Sequence, residues 1–178
     1  MVAALLDAAT RLFSERGPAA VSLRDVAREA NVNLGLIHRY IGSKHDLLAA
    51  VLAARPGYPA PTSPRSAEEL VEVVLELMTT DAAYARIVLR AALDGFDVAR
   101  VQPTFPLLER VAKAARAELP RADADARVAM LTTAALAFQT VVPVLFGVLK
   151  LREVSSDELR DSLRPALLAF VRAAPSGG

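Results

Sequence analysis

The sequence predicts an all-α protein: an N-terminal helix-turn-helix unit of three short helices, then a larger helical domain. Apolar residues recur at helical spacing along most of the 178 residues, and strand-like alternation is nearly absent. Ser22, Asn31 and Asn33 stand where two short helices would need caps and a sharp turn between them. Residues 55–65, RPGYPAPTSPR, hold four prolines and no periodic pattern, which divides the chain into domains 1–54 and 55–178.

Leu5, Ala8, Ala9, Leu12 and Phe13 follow the i, i+3, i+4, i+7 rule, so the first helix buries one stripe. Gly17-Pro18 ends it, because Gly takes a positive φ and Pro refuses continuation. Ser22-Leu23-Arg24-Asp25 is a short capping-box pattern opening a second helix, with Leu23, Val26, Ala27 and Ala30 on its inner face. That helix spans only two turns and must be held by packing. Asn31 is expected to make the turn, Val32 to plug it and Asn33 to cap the third helix, with Ile37 and Ile41 facing inward. Gly42-Ser43 interrupts the pattern, and Ser43 caps a fourth helix from Lys44 to about Ala54.

Beyond residue 65 the periodicity predicts five helices, at about 66–80, 81–94, 104–119, 122–150 and 156–173. The fourth of these contains Val128–Leu149, 22 residues without a charge. That length spans a bilayer at ~1.5 Å per residue. Thr132, Thr133, Gln139, Thr140 and Pro143 interrupt it, so the expectation is a helix buried on most sides by protein, with no membrane.

Composition removes several function classes. With 21 basic and 20 acidic residues, bulk charge nominates no partner, and any nucleic-acid surface must be local. Cysteine is absent from the sequence, which excludes disulfides, thiolate catalysis and Cys-based zinc sites. Two histidines leave little for another metal site, so no metal or cofactor is expected. Nucleophile elbow, P-loop, dinucleotide and zinc-peptidase motifs are missing, and the chain is not expected to be an enzyme. The N-terminus lacks the charged start and long apolar run of a signal peptide, so the cytoplasm is the expected compartment.

The stretch VNLGLIHRYIGSK, residues 32–44, carries the clearest chemistry. With Ile37 and Ile41 inward, Leu34, Leu36, His38 and Arg39 project elsewhere. In a major groove, Arg forks onto guanine, His reaches a base edge and Leu lies against a thymine methyl. Gly35 permits close backbone approach. Tyr40 and Lys44 suit phosphate oxygens, Lys44 at a helix N-terminus that attracts anions. An ordinary helical hairpin with Leu34 and Leu36 in its core has the same spacing.

Ser22, Val26-Ala27, Ala30-Asn31-Val32-Asn33, Gly35, His38, Tyr40-Ile41, Lys44 and Leu47 stand without gaps at the offsets of a longer pattern. Over residues 4–54 the chain resembles the DNA-binding domain of the TetR family of bacterial transcriptional regulators. The resemblance implies a homodimer that binds a near-palindromic operator in double-stranded DNA and answers to a small-molecule effector, as a repressor. Ser22, Asn33, Leu34, Gly35, Leu36, His38, Arg39, Tyr40 and Lys44 are the expected DNA-binding residues. His38 replaces the Tyr usual in the family, Leu34 stands where a polar or basic residue is frequent, and the basic residues that often precede the first helix are missing. Those departures support an alternative, a helical homodimer that binds a ligand or a protein and has lost DNA binding.

The resemblance also implies that the last two long helices pack against their copies as a four-helix bundle, and a mean hydropathy of +0.32 agrees with surplus apolar surface. In the larger domain, Met78, Tyr84, Ile87, Arg90, Phe105, Leu108, Thr133, Phe138, Gln139 and Phe146 are expected to line a mostly apolar effector pocket. The plainer alternative is that the polar members bond the preceding turn or one another. Pro143 is expected to kink its helix.

Overall fold

The computed structural model describes residues 1–54, 66–79, 82–102, 105–150 and 154–172. The proline-rich stretch 55–65, and with it the domain boundary expected there, lies outside the described residues. Those residues form helices and connecting turns, with no strand among them. The helices are α1 (Val2–Arg16), α2 (Leu23–Glu29), α3 (Leu34–Tyr40), α4 (Lys44–Ala54), α5 (Ala67–Thr79), α6 (Ala82–Leu93), α7 (Val98–Val101), α8 (Pro106–Glu118), α9 (Arg121–Leu149) and α10 (Ser156–Arg172). Only α7 was not anticipated. Its cap explains it: the Asp97 carboxylate accepts from the Arg100 amide at 3.1 Å, holding a single turn that is too short to show periodicity.

The helices pack into two compact units, each drawn from two separate stretches of the chain. One unit holds α1–α4 together with α6 and α7, and the other holds α5 and α8–α10. Ile87 and Ala91 of α6 are why the segment after α5 joins the first unit: both are fully buried in the same core as Phe13, Val26, Ile37, Leu47 and Leu48. The local rules of the first four helices hold. Leu5, Ala8, Ala9, Leu12 and Phe13 are buried. Ser22 and Asp25 complete a reciprocal capping box on α2, and Ser43 and Asp46 build a second one on α4. Asn31 turns the chain at φ 53.

Gly17 has φ 84 and ψ 149, an extended left-handed conformation essentially reserved for glycine. A Cβ there would also stand 3.2 Å from the Asp94 carboxylate, which accepts from the Ala19 amide at 3.1 Å. Gly42, at φ 105, is closer still to being irreplaceable, because a Cβ would fall 2.7 Å from Asp46 Oδ2.

In the second unit α5 and α10 run antiparallel, joined along their length by three ion pairs. Glu68 meets Arg172, Glu72 meets Arg164 at 2.7 Å, and Glu76 meets Arg160 at 2.6 Å. Arg160 also donates to Thr79 Oγ1 from Nε and Nη2. Beneath the ladder Leu70, Val71, Val74, Leu75 and Met78 pack with Val111, Leu131, Ala135 and Val171. Arg127 of α9 donates to the carbonyls of Phe170 and Val171 at 3.0 and 2.7 Å, satisfying acceptors in the last turn of α10.

α9 corrects one expectation. It was read as buried on most sides, yet only Ala124, Leu131 and Ala135 are buried along its 29 residues. Met130, Val141, Val144, Leu145, Val148 and Leu149 are exposed. The helices of the second unit cover one face of its N-terminal half, and a single chain leaves the C-terminal half open. The helix continues unbroken through Pro143.

Candidate nucleic-acid interface

α3 is held at three points. The Asn33 side chain accepts from the Gly35 amide at 2.7 Å, fixing the start of the helix. Ile37, 1% exposed, pins its middle into the core of the first unit, and Ile41 packs partly buried against that core at its end. What remains outside is Gly35, Leu36, His38, Arg39 and Tyr40, all exposed. Two β-branched anchors four residues apart therefore aim one face inward and leave the opposite face to solvent.

Leu34 does not stand with that exposed set. It is partly buried against the core, where it serves the packing of the helix pair, so for this residue the plainer hairpin reading describes the structure. Ser22 and Asn33 act as caps: the Ser22 hydroxyl accepts from the Asp25 amide and donates to the Asp25 carboxylate, and Asn33 is committed to Gly35. The guanidinium carbon of Arg39 lies 5.7 Å from the centroid of the Tyr40 ring.

Lys44 is placed by two contacts from outside its own helix. Its Nζ donates to the Ala19 carbonyl at 3.1 Å and lies 5.7 Å from the Phe96 ring centroid. The same ring sits 5.1 Å from that of His45. The α6–α7 corner thus grips both the α1–α2 turn, through Asp94, and the start of α4, through Phe96. These two residues escaped the sequence reading because they stand some fifty residues beyond the motif they support. The Asp94-Gly-Phe-Asp97 corner was the only local signal.

Electrostatics refine the picture of the helix ends. The Asp25 carboxyl is held down to about 2, first by the Ser22 hydroxyl and then by the Ser22 backbone amide. Asp46 is also lowered, by the Ser43 hydroxyl first and the Ser43 amide next. The N-terminus of α4 therefore carries its own anion, and attraction of a phosphate there rests on Lys44 more than on the helix end. Arg24 and Arg28 on α2 and Arg39 on α3 are exposed cations of the helix pair, Arg28 being paired with Asp25.

The ten residues expected to line an effector pocket are divided between the two units. Tyr84, Ile87 and Arg90 belong to the first; Met78, Phe105, Leu108, Thr133, Phe138, Gln139 and Phe146 belong to the second. Ile87 and Met78 are core residues, 0% and 5% exposed. Tyr84 packs against the first core, donates to Gln102 Oε1 at 3.2 Å, and burial pushes its phenol up. Phe138 packs on the second core. Arg90 and Thr133 are exposed, while Phe105, Leu108, Gln139 and Phe146 are half-buried. The Thr140 hydroxyl bonds the Ala137 carbonyl at 2.9 Å, as the plainer reading expects of a helical threonine. A small cavity of about 20 Å³ between α5, α8, α9 and α10 is lined by none of the ten.

A capped, outward-facing second helix beside a two-turn first helix, with cations at its edge, defines a helix-turn-helix DNA-binding protein. Residues 5–51 match the family model described as "Bacterial regulatory proteins, tetR family". The "HTH-type transcriptional repressor Rv3405c" of Mycobacterium tuberculosis is 36% identical over 172 residues, covering 94% of this chain and 87% of that protein. The chain belongs to the TetR family and is a DNA-binding transcriptional regulator. Its fold is shared by Salmonella enterica GusR, with TM-score 0.65, 16% identity and coverage of 96% of this chain and 95% of that one. It is also shared by the multidrug binding protein EbrR complexed with malachite green, with TM-score 0.64, 24% identity and coverage of 94% and 96%.

Proposed function

We propose that this regulator is a homodimeric, cytoplasmic repressor that leaves a near-palindromic double-stranded operator when a small apolar or amphipathic effector binds its C-terminal domain, residues 55–178. The observation that carries the reading is the exposed face of α3: Leu36, His38, Arg39 and Tyr40 stand free of the core on a helix that is capped and pinned. Arg39 is the base-reading cation, Leu36 a contact for thymine methyls, and Tyr40 and Lys44 phosphate contacts. Domain 1–54 reads DNA, braced by the α6–α7 corner.

The uncovered apolar face of α9 supports dimerisation. Val141, Val144, Leu145 and Val148 recur at three- and four-residue intervals, the spacing of a helix-packing stripe, and all are exposed in a single chain. A two-fold pair would set two α3 helices about one DNA turn apart, ~34 Å, which asks for a near-palindrome. The ligand response is supported by EbrR, a solved structure of the same fold that binds malachite green. An effector acts only if it binds one arrangement of the DNA-reading heads better than the other.

The test is fluorescence anisotropy with DNA from upstream of the protein's own gene, against random competitor, at two salt concentrations. Specific, salt-sensitive binding that is lost in an Arg39→Ala, Lys44→Ala double variant establishes the reading. Absence of binding at low salt overturns it in favour of a dimer that binds a ligand or protein without DNA.

A further inference from the structure

Arg110 stands apart from the other described arginines of the second unit. Arg116 pairs with Asp125, Arg127 bonds the end of α10, and Arg160, Arg164 and Arg172 form the ladder to α5. Arg110, on α8, has no ion pair or hydrogen-bond partner among the described residues, and its Nε is buried without an acceptor. It is the one buried side-chain nitrogen or oxygen among the described residues left in that state. Removing a guanidinium N–H from water without an acceptor is unfavourable, and the fold has offered none. A donor kept in that condition costs stability in the unliganded protein, and an anion at the guanidinium would supply the missing acceptor.

The surroundings say what kind of anion. Arg110 is half-buried on α8, next to Val111, which is in the core. One turn on, Ala114 lines the small cavity with Leu70, Val128 and Leu131, beside Ser66 and Arg127, whose guanidinium is already bonded to the end of α10. That lining is mostly apolar, with Arg127 engaged by the Phe170 and Val171 carbonyls, so a multiply charged phosphate would lose its hydration there without enough free donors to replace it. A carboxylate carries one charge, matches the guanidinium fork and brings its own apolar body. We infer that Arg110 is the anchor of an effector site for a small amphipathic carboxylate, whose head meets the guanidinium and whose body lies along the Ala114 flank of α8. The inference rests on the ligand-responsive reading above and gives it a ligand class. A cavity of about 20 Å³ holds no organic ligand as it stands, so binding must part α8 from its neighbours. That movement is what makes the ligand discriminate between two states of the protein.

The experiment uses the full chain and three probes of equal chain length: decanoate, decanol and decyltrimethylammonium, titrated by calorimetry below their micelle concentrations. Wild type is expected to bind decanoate at least tenfold more tightly than decanol, and the ammonium least. Arg110→Met should bring decanoate within about twofold of decanol, and Arg110→Lys should keep part of the preference. Without ligand, Arg110→Met should melt no lower than wild type, because it removes an unpartnered buried nitrogen and keeps the packing stem. Equal binding of acid and alcohol by wild type overturns the inference. So does an acid preference that survives in Arg110→Met, or a fall in its melting temperature that marks the guanidinium as structural. Operator binding measured alongside separates the two readings. A wild type that holds its operator and ignores decanoate overturns this inference alone. One that binds decanoate through Arg110 but never binds DNA supports it and overturns the repressor.

Discussion

Lys44 Nζ donates to the carbonyl of Ala19, 25 residues earlier in the chain, at 3.1 Å. One of its three donors therefore ties the start of α4 to the α1–α2 turn, and two remain for a phosphate. Lys44→Ala is expected to weaken operator and random DNA alike and to reduce the salt slope of log K by about one. Anisotropy across a salt series measures it, and an unchanged slope would remove Lys44 from the interface. Phe96→Ala, which never touches DNA in this reading, should weaken binding by releasing Lys44 and His45, with less effect on the slope.

Arg39 differs in kind, because it is the cation on the exposed face of α3. Arg39→Ala should cost ~1–3 kcal/mol on the operator and relax the preference at one base pair. Binding to a panel of operators substituted at each position checks this, and a loss that is uniform over the panel would make Arg39 a phosphate contact.

Ile87 was expected to face an effector and instead fills the core of the first unit at 0% exposure. Ile87→Ala should lower unfolding stability by ~2–5 kcal/mol. Urea denaturation measures it; a near-neutral result would reopen the ligand reading for this position.

Asp25 gives the pH dependence. Its folded-state pKa, about 2, lies below the ordinary carboxylate value of ~3.9, so its capping contribution is complete above that value and lost as pH falls through about 2. Wild type should therefore lose stability over that window, and Asp25→Asn should lose less of it, read as urea midpoints from pH 5 to 2. Parallel curves for the two proteins would show that the box contributes nothing.

Val144 and Val148 sit one turn apart on the open face of α9, 61% and 73% exposed. A Val144→Asp, Val148→Asp double variant should sediment as a monomer, with helicity retained and operator binding weakened, since two heads no longer act together. A variant that stays dimeric would place the interface elsewhere.

The N-terminal helices were legible because their determinants are local. A capping box needs Ser22 and Asp25 three residues apart; a left-handed turn needs Asn31; an inward stripe needs Ile37 four residues before Ile41. Each acts within a turn of helix, so each is written in consecutive residues. The ladder between α5 and α10 was not legible. Glu68 reads as a solvated helix start until Arg172, a hundred residues away, is folded onto it. Likewise nothing in the word Leu-Gly-Leu separates Leu34, which packs, from Leu36, which does not.

By itself, then, the sequence determined the helices, their caps, the turn between α2 and α3 and the family those imply. Tertiary structure alone decided that α6 and α7 join the DNA-reading unit, that Ile87 and Met78 are core, that Lys44 is braced by Ala19 and Phe96, and that Arg110 Nε is buried without a partner among the described residues. The reason is one of range. Caps and periodicity are fixed by neighbours along the chain, whereas burial and pairing depend on which distant residues share a space, and helical spacing offers many partners for the same stripe.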